Sequence, residues 1–216
     1  MSMTSSLSPL VVSGMLENNK RHEESVRGFL AAIVRDPPAH ARFMNMLSML
    51  EHMGSRKIMV SQMHGVLTED TLKHLAEEAR HAYFFKRQAE RIAGKALDGF
   101  TEDNTMARVS ALMYFGRLDA GISAQVPAED AYPWVSLVIE LRACWLYGIY
   151  QEILDQSDVK LSLKSLIAEE DMHLADMYAA CGADTEKLKA LSAYETGLFG
   201  ALWDKLCIAL PMAQAA

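Results

Sequence analysis

Apolar positions in this chain recur mainly at intervals of three and four, the spacing of one face of an α-helix, and strand-like alternation is scarce. The breaks between these stretches predict seven helices. The first covers about residues 15 to 35 and stops at Asp36-Pro37-Pro38, because a residue before proline is pushed out of α geometry. A second runs to about residue 64, where Gly65 ends it, and Thr68 is the expected N-cap of the third. The third fades between Gly94 and Gly99, and Thr101-Glu102-Asp103-Asn104 opens a crossover helix to about residue 124. Pro127 and Pro133 flank the start of the fifth, which continues to about Gln156. Ser157-Asp158 separates it from the sixth, ending near Gly182, and Thr185 begins a last amphipathic helix through Leu206 that should cover the others.

Two of these helices carry the same tetrad. Ala76-Glu77-Glu78-x-x-His81 lies in the third and Ala168-Glu169-Glu170-x-x-His173 in the sixth. A Glu and a His three positions apart share a helix face about 5 to 6 Å apart, so both side chains can converge on one ion. Only Glu78 and Glu170 keep that spacing; Glu77 and Glu169 are the alternatives beside them. A pair of metals in a helical bundle also needs one inward carboxylate from each facing helix. Glu51 and Glu140 qualify, since each interrupts an apolar face where a lone carboxylate would be costly. Glu51 precedes Glu78 by 27 residues and Glu140 precedes Glu170 by 30, each interval suiting one helical hairpin. His52, adjacent to Glu51, points to another face.

The expected fold is therefore all-α: a four-helix bundle of two antiparallel hairpins, with additional N-terminal, crossover and C-terminal helices. A chain of 216 residues with 50% apolar content and few Gly or Pro fits a single domain spanning 1–216, with 1–14 as a flexible leader. Net charge of −7 and the lack of a long basic cluster argue against nucleic acid as partner. Cys144, Cys181 and Cys207 are few, odd in number and widely spaced, which suits a reducing cytosol and small core residues. The N-terminus lacks the charged region of a secretory signal and no apolar run reaches bilayer length, so the expected location is cytoplasmic, without membrane association. Most of the 14 methionines, including Met44, Met46, Met49 and Met53 around Glu51, are expected as adaptable core packing.

Four carboxylates and two imidazoles suit iron or manganese, and zinc is compatible with the ligand types. The order Glu, Glu-x-x-His, Glu, Glu-x-x-His resembles the ferritin-like di-iron carboxylate superfamily. Leu137-Val138-Ile139-Glu140, Tyr147 and Tyr150, followed by Ala168-Glu169-Glu170-x-x-His173-Leu174, are similar over about 50 residues to the second half of cyanobacterial aldehyde-deformylating oxygenases. The first hairpin departs from that family: His52-Met53-Gly54-Ser55-Arg56-Lys57 replaces a Glu- and His-rich run.

The resemblance implies two iron ions, or a manganese–iron pair, held by Glu51, Glu78, His81, Glu140, Glu170 and His173. It also implies dioxygen activation, a small and largely apolar organic substrate, and an electron-donor protein as partner. Which carboxylates bridge stays open. Tyr147, two turns after Glu140 on the same face, is a candidate hydrogen-bond donor or redox-active phenol, with a buried structural tyrosine as the other reading. The helices outside the hairpins make a storage cage less natural, so a monomer or homodimer is expected. A ferroxidase without organic substrate and a metal-free helical scaffold are the competing functions.

Overall fold

Asp36-Pro37-Pro38 sets the first boundary in the chain as its chemistry requires. The Asp36 carboxylate accepts a hydrogen bond from the Ala39 amide at 3.1 Å, while the prolines occupy first-turn positions whose amide would have no partner within the helix. The computed structural model describes residues 9–64 and 67–210. Among them all regular structure is helical: α1 (Pro9–Val34), α2 (Pro37–Ser61), α3 (Glu69–Ala93), α4 (Arg108–Ser123), α5 (Ala131–Asp155), α6 (Lys164–Ala180) and α7 (Thr185–Ala209), with 3-10 turns at Gln62–His64 and Ala128–Asp130. The expected all-α class holds, and no helix among the described residues is long and apolar enough to cross a membrane.

The chain divides into two compact units, one built from residues 28–115 and 200–210 and the other from residues 9–27 and 116–199. In the first, α2 and α3 form an antiparallel hairpin. Ser48 donates to the Ala82 carbonyl at 2.7 Å, so the two helices approach closely one turn from Glu51. Phe29 packs edge-on against Phe43 and Trp203, with ring centroids 5.5 and 5.0 Å apart, and Met44, Met46, Leu47 and Phe85 fill the interior. Thr68 caps α3 by accepting from the Thr71 amide at 3.1 Å, and Gly94 ends it in the left-handed region at φ 66°. Gly65, expected to end the preceding helix, lies outside the described residues.

The second unit holds the antiparallel hairpin of α5 and α6. α5 is apolar around most of its circumference and accordingly buried on most sides, including Trp134, Leu137, Leu141, Trp145 and Tyr150. Its interior also contains an ion pair: Arg142 donates from Nε to Glu195 Oε1 at 2.8 Å and from Nη2 to Oε2 at 2.5 Å. The same guanidinium lies 4.0 Å from the Phe199 ring centroid and 4.9 Å from that of Trp145.

Three boundaries differ from the sequence expectation. α1 begins at Pro9, earlier than about residue 15; residues 1–8 of the expected leader lie outside the described residues. The crossover helix starts at Arg108, because the Asn45 side-chain amide donates to the carbonyls of Gly99 and Asn104 and to Thr105 Oγ1, holding that segment in turns. α6 starts at Lys164, well after Ser157-Asp158, since Gln151 Oε1 accepts from the Leu163 amide at 2.6 Å and fixes the loop to α5.

Candidate metal centre

Positions 74, 78 and 81 of α3 stand at i, i+4 and i+7 and therefore share one helix face. His74 Nε2 lies 3.5 Å from Glu78 Oε1, and His81 Nδ1 lies 3.8 Å from the same oxygen. All three side chains are buried. α2 brings Glu51 against them, so that one oxygen of Glu51, one of Glu78 and one ring nitrogen of His81 fall within 4.8 Å of one another. His74 and Glu78 also meet that distance. Gly54, three residues beyond Glu51, leaves room for the Glu78 carboxylate: a β-carbon at that position would stand 3.0 Å from Oε2.

Helix phase separates Glu78 from its neighbour. Glu77 lies 4.0 Å from Lys73 Nζ and 3.9 Å from Arg80 Nη2, cations of its own helix, whereas Glu78 faces the two imidazoles. His52 is exposed and its ring lies 6.0 Å from that of Phe100, away from this face.

Burial pushes the Glu78 carboxyl up. That effect is outweighed by the hydrogen bond and charge of His74, by the charge of His81 and by a hydrogen bond with Glu51, so the net displacement is below the ordinary carboxylate value. The side chain is thus held as an anion in an enclosed position, the state a metal ligand requires.

In the second unit, Glu140 from α5 and His173 from α6 offer ligand atoms within 4.8 Å of each other. His173 Nδ1 is 3.3 Å from Glu170 Oε2, and Glu170 is 1% exposed. All six ligands expected from the sequence are therefore buried, with Glu51, Glu78 and His81 meeting in one hairpin and Glu140, Glu170 and His173 belonging to the other.

Cys144 follows Glu140 by one turn and donates from Sγ to Asp171 Oδ1 at 3.7 Å. Burial, then the negative charges of Glu140, Glu170 and Asp171, push its thiol well above the ordinary value, so it remains a neutral small side chain and not a thiolate donor. Tyr147 is buried two turns from Glu140 in α5.

No family model, curated protein or solved structure matches the chain.

The donor set carries the chemistry. Buried carboxylates beside buried imidazoles form a hard-to-borderline ligand set that can hold a metal ion, with the apolar helix faces around it restricting water. Among the described residues, His74 is the one addition to the ligands expected from sequence. Its signal was present in the spacing His74-x-x-x-Glu78-x-x-His81, one turn N-terminal to the Glu-x-x-His motif.

Proposed function

We propose that the protein is a non-haem di-iron oxidase or oxygenase, with its metals held by Glu51, Glu78 and His81 of the first hairpin and Glu140, Glu170 and His173 of the second. One observation carries this reading: each hairpin sets a buried glutamate on one helix against a buried Glu-x-x-His on the next. Chance placement would leave such residues on solvated faces. Here the same ligand pattern occurs inside both units.

A pair of ferrous ions would supply the electrons that reduce dioxygen. The chain's own contribution is to present anionic carboxylates and to orient two imidazoles on rigid helices. On α2, Met44, Leu47 and Ser48 lie one and two turns before Glu51 and are buried, so the surroundings of that carboxylate exclude water. Such walls favour a small, largely apolar substrate. An electron-donor protein would return the iron to its ferrous state between turnovers.

Elemental analysis of protein produced with iron is the decisive measurement, repeated on Glu78→Ala and Glu170→Ala after circular dichroism has shown both to be helical. About two iron ions per chain, reduced in both variants, is the expected result. Retention of full metal content by both variants, or no metal in the wild type after anaerobic ferrous reconstitution, would overturn the assignment. Once metal is present, oxygen consumption that depends on an added organic substrate distinguishes an oxygenase from a ferroxidase.

A further inference from the structure

The two hairpins differ one turn before the Glu-x-x-His motif. His74 precedes Glu78 by four residues, while the residue four before Glu170 is Leu166. Both are buried, so the first hairpin places an imidazole where the second places an alkyl group. We propose that His74 is a seventh metal ligand, which gives the first hairpin two imidazoles to the second hairpin's one and makes the two metal positions unequal. This rests on the two-metal reading above and deepens it.

The geometry of the first unit supplies the reasons. His74 Nε2 and His81 Nδ1 lie 3.5 and 3.8 Å from the same Glu78 oxygen. Ligand atoms of His74 and Glu78 form one close set, and those of Glu51, Glu78 and His81 form a second, each spanning no more than 4.8 Å. Glu78 is common to both.

Three imidazoles cannot divide evenly between two metals. One ion receives a nitrogen donor that the sequence repeat does not provide for the other. Imidazole nitrogen raises affinity for the later first-row divalent metals more than carboxylate oxygen does, so cobalt should distinguish the two positions.

The competing role for His74 is positional, as a hydrogen-bond donor that orients Glu78. Loss of such an outer partner costs about 10- to 100-fold in metal affinity and leaves the imidazole count at the metal unchanged. Two variants separate the roles: His74→Leu reproduces the second hairpin, and His74→Gln keeps a donor able to reach the Glu78 carboxylate.

Anaerobic Co(II) titration of the full chain, read by visible absorption, should show wild type taking two ions in two resolved steps. X-ray absorption then counts imidazole nitrogens per cobalt. Both variants should keep one step and weaken the other by more than about 100-fold, beyond the loss expected for an outer partner. At saturating cobalt the imidazole count should fall from about three to about two per two metals.

A His74→Gln protein with wild-type steps and imidazole count would overturn the ligand assignment, whatever His74→Leu does. If His74→Leu does not fold, the Gln variant carries the decision alone. Wild type that binds fewer than two cobalt ions would refute the two-metal reading itself, a result distinct from failure at His74.

Discussion

Gly54→Ala should move stability and metal affinity in opposite directions. Gly54 lies inside α2 and three residues after Glu51, on the face turned toward α3. In a helix interior, alanine is favoured over glycine by about 0.8 to 1 kcal/mol, because the glycine backbone loses more freedom on folding. Among the described residues, and apart from the backbone of its own helix and its two chain neighbours, the new methyl group meets only Glu78 within 4 Å, its oxygen at 3.0 Å and its Cδ at 3.9 Å. Ordinary contact begins near 3.4 Å, so the carboxylate must retreat by a few tenths of an ångström. Three side-chain torsions let the metal-free protein absorb that shift at little cost.

A metal centre does not tolerate it as easily, since productive ligands are held within about 0.5 Å of their places. The expected loss is about 10- to 100-fold in affinity, the range seen when a ligand's support is disturbed. Metal-free Gly54→Ala should melt about 2 to 4 °C higher for a chain of this size, read by circular dichroism. An anaerobic Co(II) isotherm should shift to weaker binding. Destabilisation of the metal-free protein by more than about 1 kcal/mol would mean that Glu78 cannot move aside. Unchanged cobalt affinity in a stabilised variant would show that Glu78 Oε2 is not a metal ligand.

Two further predictions concern groups outside the ligand set. Burial, with the charge of Arg91 adding to it, lowers the His40 imidazole to about 4 from an ordinary 6.5; at about 1.4 kcal/mol per pH unit that is worth about 3 kcal/mol. Above pH 6.5 both states are neutral and His40 adds no pH dependence, whereas between pH 6.5 and 4 only the unfolded chain takes up the proton and stability falls; urea unfolding should show a smaller acid loss in His40→Gln, and equal losses would refute the effect. Removing one half of the buried Arg142–Glu195 pair, as in Glu195→Ala, should cost about 3 to 5 kcal/mol, while Arg142→Met with Glu195→Leu should be far less harmful. Equal urea midpoints for the single and double variants would show that the stranded guanidinium is not the source of the loss.

What could be read from the sequence follows from how local each signal is. Thr68 caps the helix it was expected to cap, and Asp36, read in the sequence as a helix stop, also caps the helix that follows it, because an N-cap contact closes within three residues. The Glu-x-x-His pairs were legible for the same reason. The start of α4 was hidden, since the residue that keeps the preceding segment out of a helix is Asn45, more than fifty positions earlier. Gln151 delays α6 by the same kind of contact from a neighbouring element. Gly54 shows the limit most clearly: a glycine in the middle of a helix looks like a defect until the carboxylate of another helix is seen occupying the space of its missing side chain.

That space belongs to a wider pattern around both glutamates. One turn to either side of Glu51 stand Ser48 and the pair Gly54-Ser55; Ser48 ties α2 to the backbone of α3, and Gly54 admits Glu78. One turn beyond Glu140 stand Ala143 and Cys144, and Cys144 reaches Asp171 of α6. Small side chains beside each glutamate let the facing helix come close enough for a short acidic chain and an imidazole to meet. A larger residue at either place would spread the hairpin and separate the ligands without touching them. The sites in the two hairpins thus depend on what is missing beside each glutamate as much as on the glutamate itself, and a motif made only of ligands captures half of that requirement.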